Sequence, residues 1–123
     1  MNMYFTKEHE WVKVKEGIAA VGISEHAAHE LGDITFVELP KMGKTVKQFE
    51  VLGSIESVKA ASDIFSPVSG KVIKVNEALD AAPEIVNDSA EDAGWMAWLE
   101  LANEAELGNL MTKEQYGEFL KSL

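Results

Sequence analysis

Glu56-Ser57-Val58-Lys59-Ala60-Ala61-Ser62-Asp63 joins two strand-like runs, Val51–Ser57 and Ile64–Ser66, and sets one lysine near the centre of the turn between them. The hairpin spans about residues 51–66. Ala60 and Ala61 follow the lysine, so nothing bulky shields it, and a lysine placed this way projects from the fold within reach of another protein's active site. Taken alone, the local pattern favours a solvated turn lysine.

Working outward, most of the chain before residue 75 is strand-like. Trp11–Val14 and Ile18–Val21 flank Lys15-Glu16-Gly17, a hairpin turn. Ser24 is an N-cap for a short helix, Glu25 suits the positive helix start, and Gly32 suits its end. Ile34–Leu39 alternates as a strand up to Pro40, and Lys41-Met42-Gly43-Lys44 is a turn. Ser66-Pro67 opens another turn before the strand Lys71–Val75, Pro83 opens one helical turn through Val86, and Trp95–Leu101 is a final strand. Over residues 112–123, Thr112 and Gln115 have capping-box spacing, and Tyr116, Phe119, Leu120 and Leu123 share one helical face. Short strands separated by turns predict a mainly β sandwich or flattened barrel, with short helices and a C-terminal amphipathic helix laid on it. The length of 123 residues fits a single domain spanning 1–123.

The chain carries 21 acidic and 11 basic side chains, a formal charge of −10, with 46% hydrophobic residues and no cysteine. That charge repels phosphate backbones and anionic lipids, so neither nucleic acid nor a membrane surface is an expected partner. Basic patches on other proteins are. Disulfides, thiolate metal sites and cysteine nucleophiles are excluded. The start, MNMYFTKEHEWVKV, has no apolar signal core, and no apolar run reaches membrane-spanning length, so the expected location is cytoplasmic.

Glu56-Ser57-Val58-Lys59-Ala60 resembles the lipoylation motif of the glycine cleavage H proteins. So, in family order, do Tyr4–Val12 (YFTKEHEWV), Val21–Gly32, Asp33–Pro40 (DITFVELP), Ser66–Glu77, Pro83–Asn87, Gly94-Trp95-Met96 and the Tyr116 helix. Lipoyl domains of 2-oxoacid dehydrogenase complexes usually carry Asp-Lys-Ala, and biotinyl domains Met-Lys-Met. Both are shorter and lack the His-Glu-Trp block and the terminal helix. Departures from the family pattern are Gln48 and Phe49, where a glycine and a polar residue are common, and Trp98, where a lysine is usual.

The resemblance implies a lipoyl-domain-like fold (a hybrid motif) and a carrier, not an enzyme, with lipoic acid in amide linkage to Lys59. It implies a shuttle for the aminomethyl group of glycine. The group passes from a pyridoxal-phosphate-dependent glycine decarboxylase (P protein) to a folate-dependent aminomethyltransferase (T protein). Dihydrolipoamide dehydrogenase (L protein) then reoxidises the carrier, and lipoyl-attaching enzymes load it. It also implies that Glu10, of His-Glu-Trp, and Asp63 hold the cationic aminomethyl arm. A surface charge is the plain reading for both acids, and recognition by the attaching enzyme a second one for Asp63. Two other functions fit the sequence: a lipoyl reservoir or relay supplying other enzymes, and an unmodified acidic binding module.

Other signals carry no chemistry. His26-Ala27-Ala28-His29-Glu30 lacks a metalloprotease spacing and a third ligand, so no metal site is expected. Gly43-Lys44-Thr45 lacks the first glycine of a phosphate loop, since Glu38 stands there. His9 has no nucleophile to serve. Trp11 and Trp95 are core or rim aromatics.

Overall fold

The computed structural model describes residues 3–123. Ten strands form two antiparallel sheets. They are β1 (Met3–Phe5), β2 (Glu10–Lys15), β3 (Ile18–Ile23), β4 (Ile34–Glu38), β5 (Thr45–Val46), β6 (Val51–Ser57), β7 (Ala61–Phe65), β8 (Gly70–Val75), β9 (Ala97–Leu101) and β10 (Met111–Thr112). The larger sheet runs β10-β1-β2-β3-β9-β8-β5 and the smaller β4-β6-β7. The helices are α1 (Glu25–Leu31), α2 (Ala78–Ala81), α3 (Ile85–Ser89) and α4 (Lys113–Lys121), with a 3-10 helix at Glu104–Asn109.

Two apolar clusters hold the sheets together. Val12, Val21, Leu52, Val72 and Leu99 belong to one, which joins β6 to the larger sheet. Ile34, Val37, Ile55 and Ile64 of the smaller sheet pack in the other with Ile23, Met96 and residues of all three short helices. Each fully buried side chain of this kind contributes about 1.5–3 kcal/mol. A third cluster, Phe5, Trp11 and Tyr116, seats α4 on β1 and β2. The mainly β reading stands.

Several local expectations hold for the stated reasons. The β2–β3 turn is two residues, Glu16 and Gly17, both with positive φ (51° and 79°), the twist that an antiparallel hairpin favours. Lys15 belongs to the strand. Ser24 Oγ accepts the Ala27 N–H, and Gly32 closes α1 by donating to Ala28. The Thr112–Gln115 capping box forms at α4.

Others need correction. The last helical turn at Pro83–Val86 is instead α3 at Ile85–Ser89, and α2 precedes it unforeseen. Trp95 and Met96 lie before β9, which is not the final strand, because β10 pairs with β1 after the 3-10 helix. β7 begins at Ala61, three residues before Ile64. Such short elements carry too little periodicity to read alone. Leu123 is 70% exposed, because α4 ends before it.

The correction that matters most is in β4. Simple alternation puts Ile34 and Phe36 on one face. A β-bulge falls between them, and the phase inverts: Ile34 and Val37 are buried, while Thr35, Phe36 and Glu38 face solvent.

Candidate functional site

Ser57 builds the turn at Val58-Lys59. Its N–H donates to the Ala60 carbonyl (2.7 Å), and its hydroxyl oxygen accepts from the N–H groups of Lys59 (3.2 Å) and Ala60 (3.1 Å). A serine hydroxyl standing in for backbone in this way stiffens a tight turn. The Val58 N–H donates to the Asp33 carbonyl (3.0 Å), which ties the hairpin tip to the link between α1 and β4. Val58 is 67% exposed, and Lys59 and Ala60 are exposed beside it.

The stem of Lys59 lies against Gly32, where an added Cβ would come within 3.3 Å of Lys59 Cε. Gly32 has φ 76° and ψ −151°, a region essentially restricted to glycine. One glycine therefore ends α1 and leaves room for the lysine. Its role at the helix end is legible in sequence; its contact with Lys59 is not, since only the tertiary fold brings the two together.

Glu10 is not a surface acid: it is 1% exposed. The Thr6 hydroxyl donates to Oε1 (2.5 Å) and the Phe65 N–H to Oε2 (3.2 Å). β7 is an edge strand, so Glu10 takes a backbone donor that no neighbouring strand accepts. Burial pushes the carboxyl up to about 7, against the opposing pull of the Thr6 and Phe65 hydrogen bonds.

Asp63 is exposed, and its partner across the hairpin is Ser54. It lies on the outer face of the small sheet with Ala61 and Phe65, which alternate with it along β7. Glu10 and Asp63 are thus not equivalent. Glu10 reaches the hairpin at the Phe65 backbone, from a buried position, and Asp63 stands outside, two residues away. Thr6 and Phe65, the residues that hold Glu10, line a groove of about 620 Å³ whose walls include Phe5, Phe49, Leu110 and Met111.

His9 is structural. Its Nδ1 bonds to the Tyr116 hydroxyl (2.7 Å), which also bonds to Ser24 Oγ (2.7 Å), linking α4 to the start of α1. Trp11 is core and donates to the Ala90 carbonyl, while Trp95 is half-buried beside Trp98. Among the described residues, no group of three or more His, Asp or Glu side chains is placed to hold a metal ion. No described helix is long and apolar enough to cross a membrane.

The sequence profile described as Glycine cleavage H-protein matches residues 3–123. The glycine cleavage system H protein of Caulobacter vibrioides is 54% identical over 121 residues, covering 98% of this chain and all of that protein. That of Thermotoga maritima is 48% identical over 115 residues, 94% of this chain and 93% of that one. The chain belongs to the glycine cleavage H-protein family. The crystal structure of a glycine cleavage system H protein from Mycobacterium marinum superposes with a TM-score of 0.87 at 31% identity, covering 98% of this chain and 97% of that one. As a family member the protein is a lipoyl-bearing shuttle, a carrier component and not a catalyst.

Against the H-protein pattern, the departures have local explanations. The Gln48 amide nitrogen donates to the Pro67 and Glu106 carbonyls, so this side chain ties the β5–β6 link to the 3-10 helix. Phe49 adopts φ 69° and lines the groove. Trp98 packs on Trp95, with Lys74 4.5 Å from its ring centroid, a cation–π contact in place of the usual lysine's solvated charge.

Proposed function

We propose that Lys59 carries lipoic acid in amide linkage, and that the arm shuttles the aminomethyl group of glycine in the cytoplasm. The partners are the decarboxylase (P protein), the aminomethyltransferase (T protein), dihydrolipoamide dehydrogenase (L protein) and the lipoyl-attaching enzymes. When bound, the cofactor supplies a redox-active disulfide that accepts the one-carbon unit, and this chain supplies placement and shelter.

The observation that carries the reading is an exposed lysine at the tip of a braced turn, in a member of a carrier family. Ser57 and the Asp33 carbonyl fix the tip, Ala60 and Gly32 keep it clear, and Glu56 and Val58 complete the motif around it. The remaining residues fit a tethered arm. Ala61, Asp63 and Phe65 mark a track of about 13 Å along one face of β7, and it leads to the apolar groove beside Glu10. In this reading Asp63, on the track, and Glu10, behind the groove wall, hold the cationic arm and limit the access of water. A relay of lipoyl groups to other enzymes would use the same lysine and is separated by assay. No feature of the fold favours an unmodified binding module.

The test is intact mass of the protein from its native host, followed by Lys59→Arg. One lipoyl group is expected on the wild type and none on the variant, with unfolding transitions superimposed, because a tip lysine contributes little to packing. Arginine keeps the charge and removes the acylatable amine. Lipoylation of the variant refutes the site. Wild-type carrier that transfers lipoyl groups but supports no glycine decarboxylation establishes the relay.

A further inference from the structure

An aromatic side chain at an exposed strand position next to the reactive hairpin is unexpected. Phe36 is 48% exposed because the β4 bulge turns it outward. Its partner across the ladder is Glu56, whose own partner is Ala61. Glu38, Ser54 and Asp63 form the next row on the same face. The outer face of the small sheet therefore presents the Phe36 ring bordered by Glu38, Glu56 and Asp63, directly beneath the turn that holds Lys59, with the half-buried Phe65 farther along β7. The only hydrogen bond to these three carboxylates among the described residues comes from Ser54 Oγ to Glu38 (3.3 Å), and none is in an ion pair there. They are free to meet cations from outside. Bulges recur where a strand re-aims a side chain beside a functional site.

We propose that this face is the docking surface for the lipoyl-attaching enzyme. Phe36 inserts into an apolar recess of that enzyme, and lysine or arginine side chains around the recess meet Glu38, Glu56 and Asp63. The inference rests on Lys59 as the attachment site. It commits to the attaching enzyme because that enzyme meets the chain before any cofactor is present. Recognition must then come from protein surface around the lysine, whereas later partners have the cofactor itself to bind. An aromatic at the centre of a charged rim is the arrangement in which a few residues dominate an interface.

The experiment uses the full unmodified chain as acceptor for a lipoate–protein ligase with lipoic acid and ATP. In that reaction Lys59 Nζ attacks the acyl carbon of lipoyl-adenylate, the new C–N bond displaces AMP, and the amine loses a proton. Intact mass gives the rate, and the half-saturating concentration of the chain is measured at several salt concentrations. Phe36→Thr keeps β-propensity and should raise that concentration about tenfold or more, with turnover at saturation little changed. Phe36→Leu should recover most of the loss. Glu38→Lys should weaken docking and flatten its salt dependence. Met42→Ala, an exposed apolar residue (60%) on another part of the surface, should change nothing. Wild-type half-saturation by a folded Phe36→Thr variant overturns the docking proposal alone, as does failure of Phe36→Leu to improve on it. Wild-type chain that accepts no lipoyl group on Lys59 overturns both this proposal and the attachment site.

Discussion

Burial dominates Glu10. The side chain lies between β2 and the edge of β7, and desolvation raises its carboxyl from 4.5 to about 7, although Thr6 and Phe65 hydrogen-bond to it. Since the folded state holds the proton more tightly than the unfolded chain, Glu10 favours folding below pH 4.5, and that contribution is lost as pH rises through about 7. The change is on the order of 3 kcal/mol. Glutamine keeps the shape and removes the charge, its amide oxygen still accepting from the Phe65 N–H. Glu10→Gln should therefore exceed the wild type in stability at pH 8 and lose that advantage near pH 4, as read by urea unfolding across the range. A constant difference between the two proteins at all pH values would show that the carboxyl titrates normally in the fold. The same residue scale explains Gly32, where the backbone conformation favours glycine and an added Cβ would crowd the Lys59 stem at 3.3 Å.

At the scale of elements, α4 is secured by its cap, by the Tyr116–Phe5 ring stack (centroids 4.2 Å apart) and by one hydroxyl. That hydroxyl bonds both His9 and Ser24, so the terminal helix, the start of β2 and the N-cap of α1 meet at one oxygen. Tyr116→Phe retains the stack and removes both bonds. It should cost about 1–3 kcal/mol, with the largest rise in amide exchange over Lys113–Lys121 and the first turn of α1. Exchange that rises only in α4 would mean that Ser24 holds α1 unaided, through its bond to Ala27. Much of this level was readable in the sequence: the caps at Ser24, Gly32 and Thr112 follow from local chemistry. The β4 bulge was not, because Ile34-Thr35-Phe36-Val37 offers an apolar residue to either face, and pairing with β6 decides between them.

The whole molecule is a dense negative charge with little internal compensation. A formal −10 stands against only two ion-pair contacts among the described residues, His26–Glu30 and Lys121–Glu118. Amide formation at Lys59, as proposed, would make it one charge more negative. Two opposite salt effects follow. Screening within about 8–10 Å relieves self-repulsion, so moderate sodium chloride should raise the unfolding midpoint. The same screening should slow docking onto basic partners, lowering association rates in stopped flow while saturated turnover holds. Transfer rates that stay flat as salt rises would show that apolar contacts alone bring the partners together.

The sequence alone determined the mainly β class, the hairpin at residues 51–66, its lysine and the caps, because each follows from turn chemistry, alternation or composition within a few residues. It also carried the family, through motifs spread along the chain. Tertiary structure alone decided that Glu10 is buried, that Gly32 underlies Lys59, that α4 joins α1 through Tyr116, and that Phe36 faces solvent. The physical reason is common to all four. Burial and strand register are set by which segments pair and pack across long separations, and no window of sequence contains both partners.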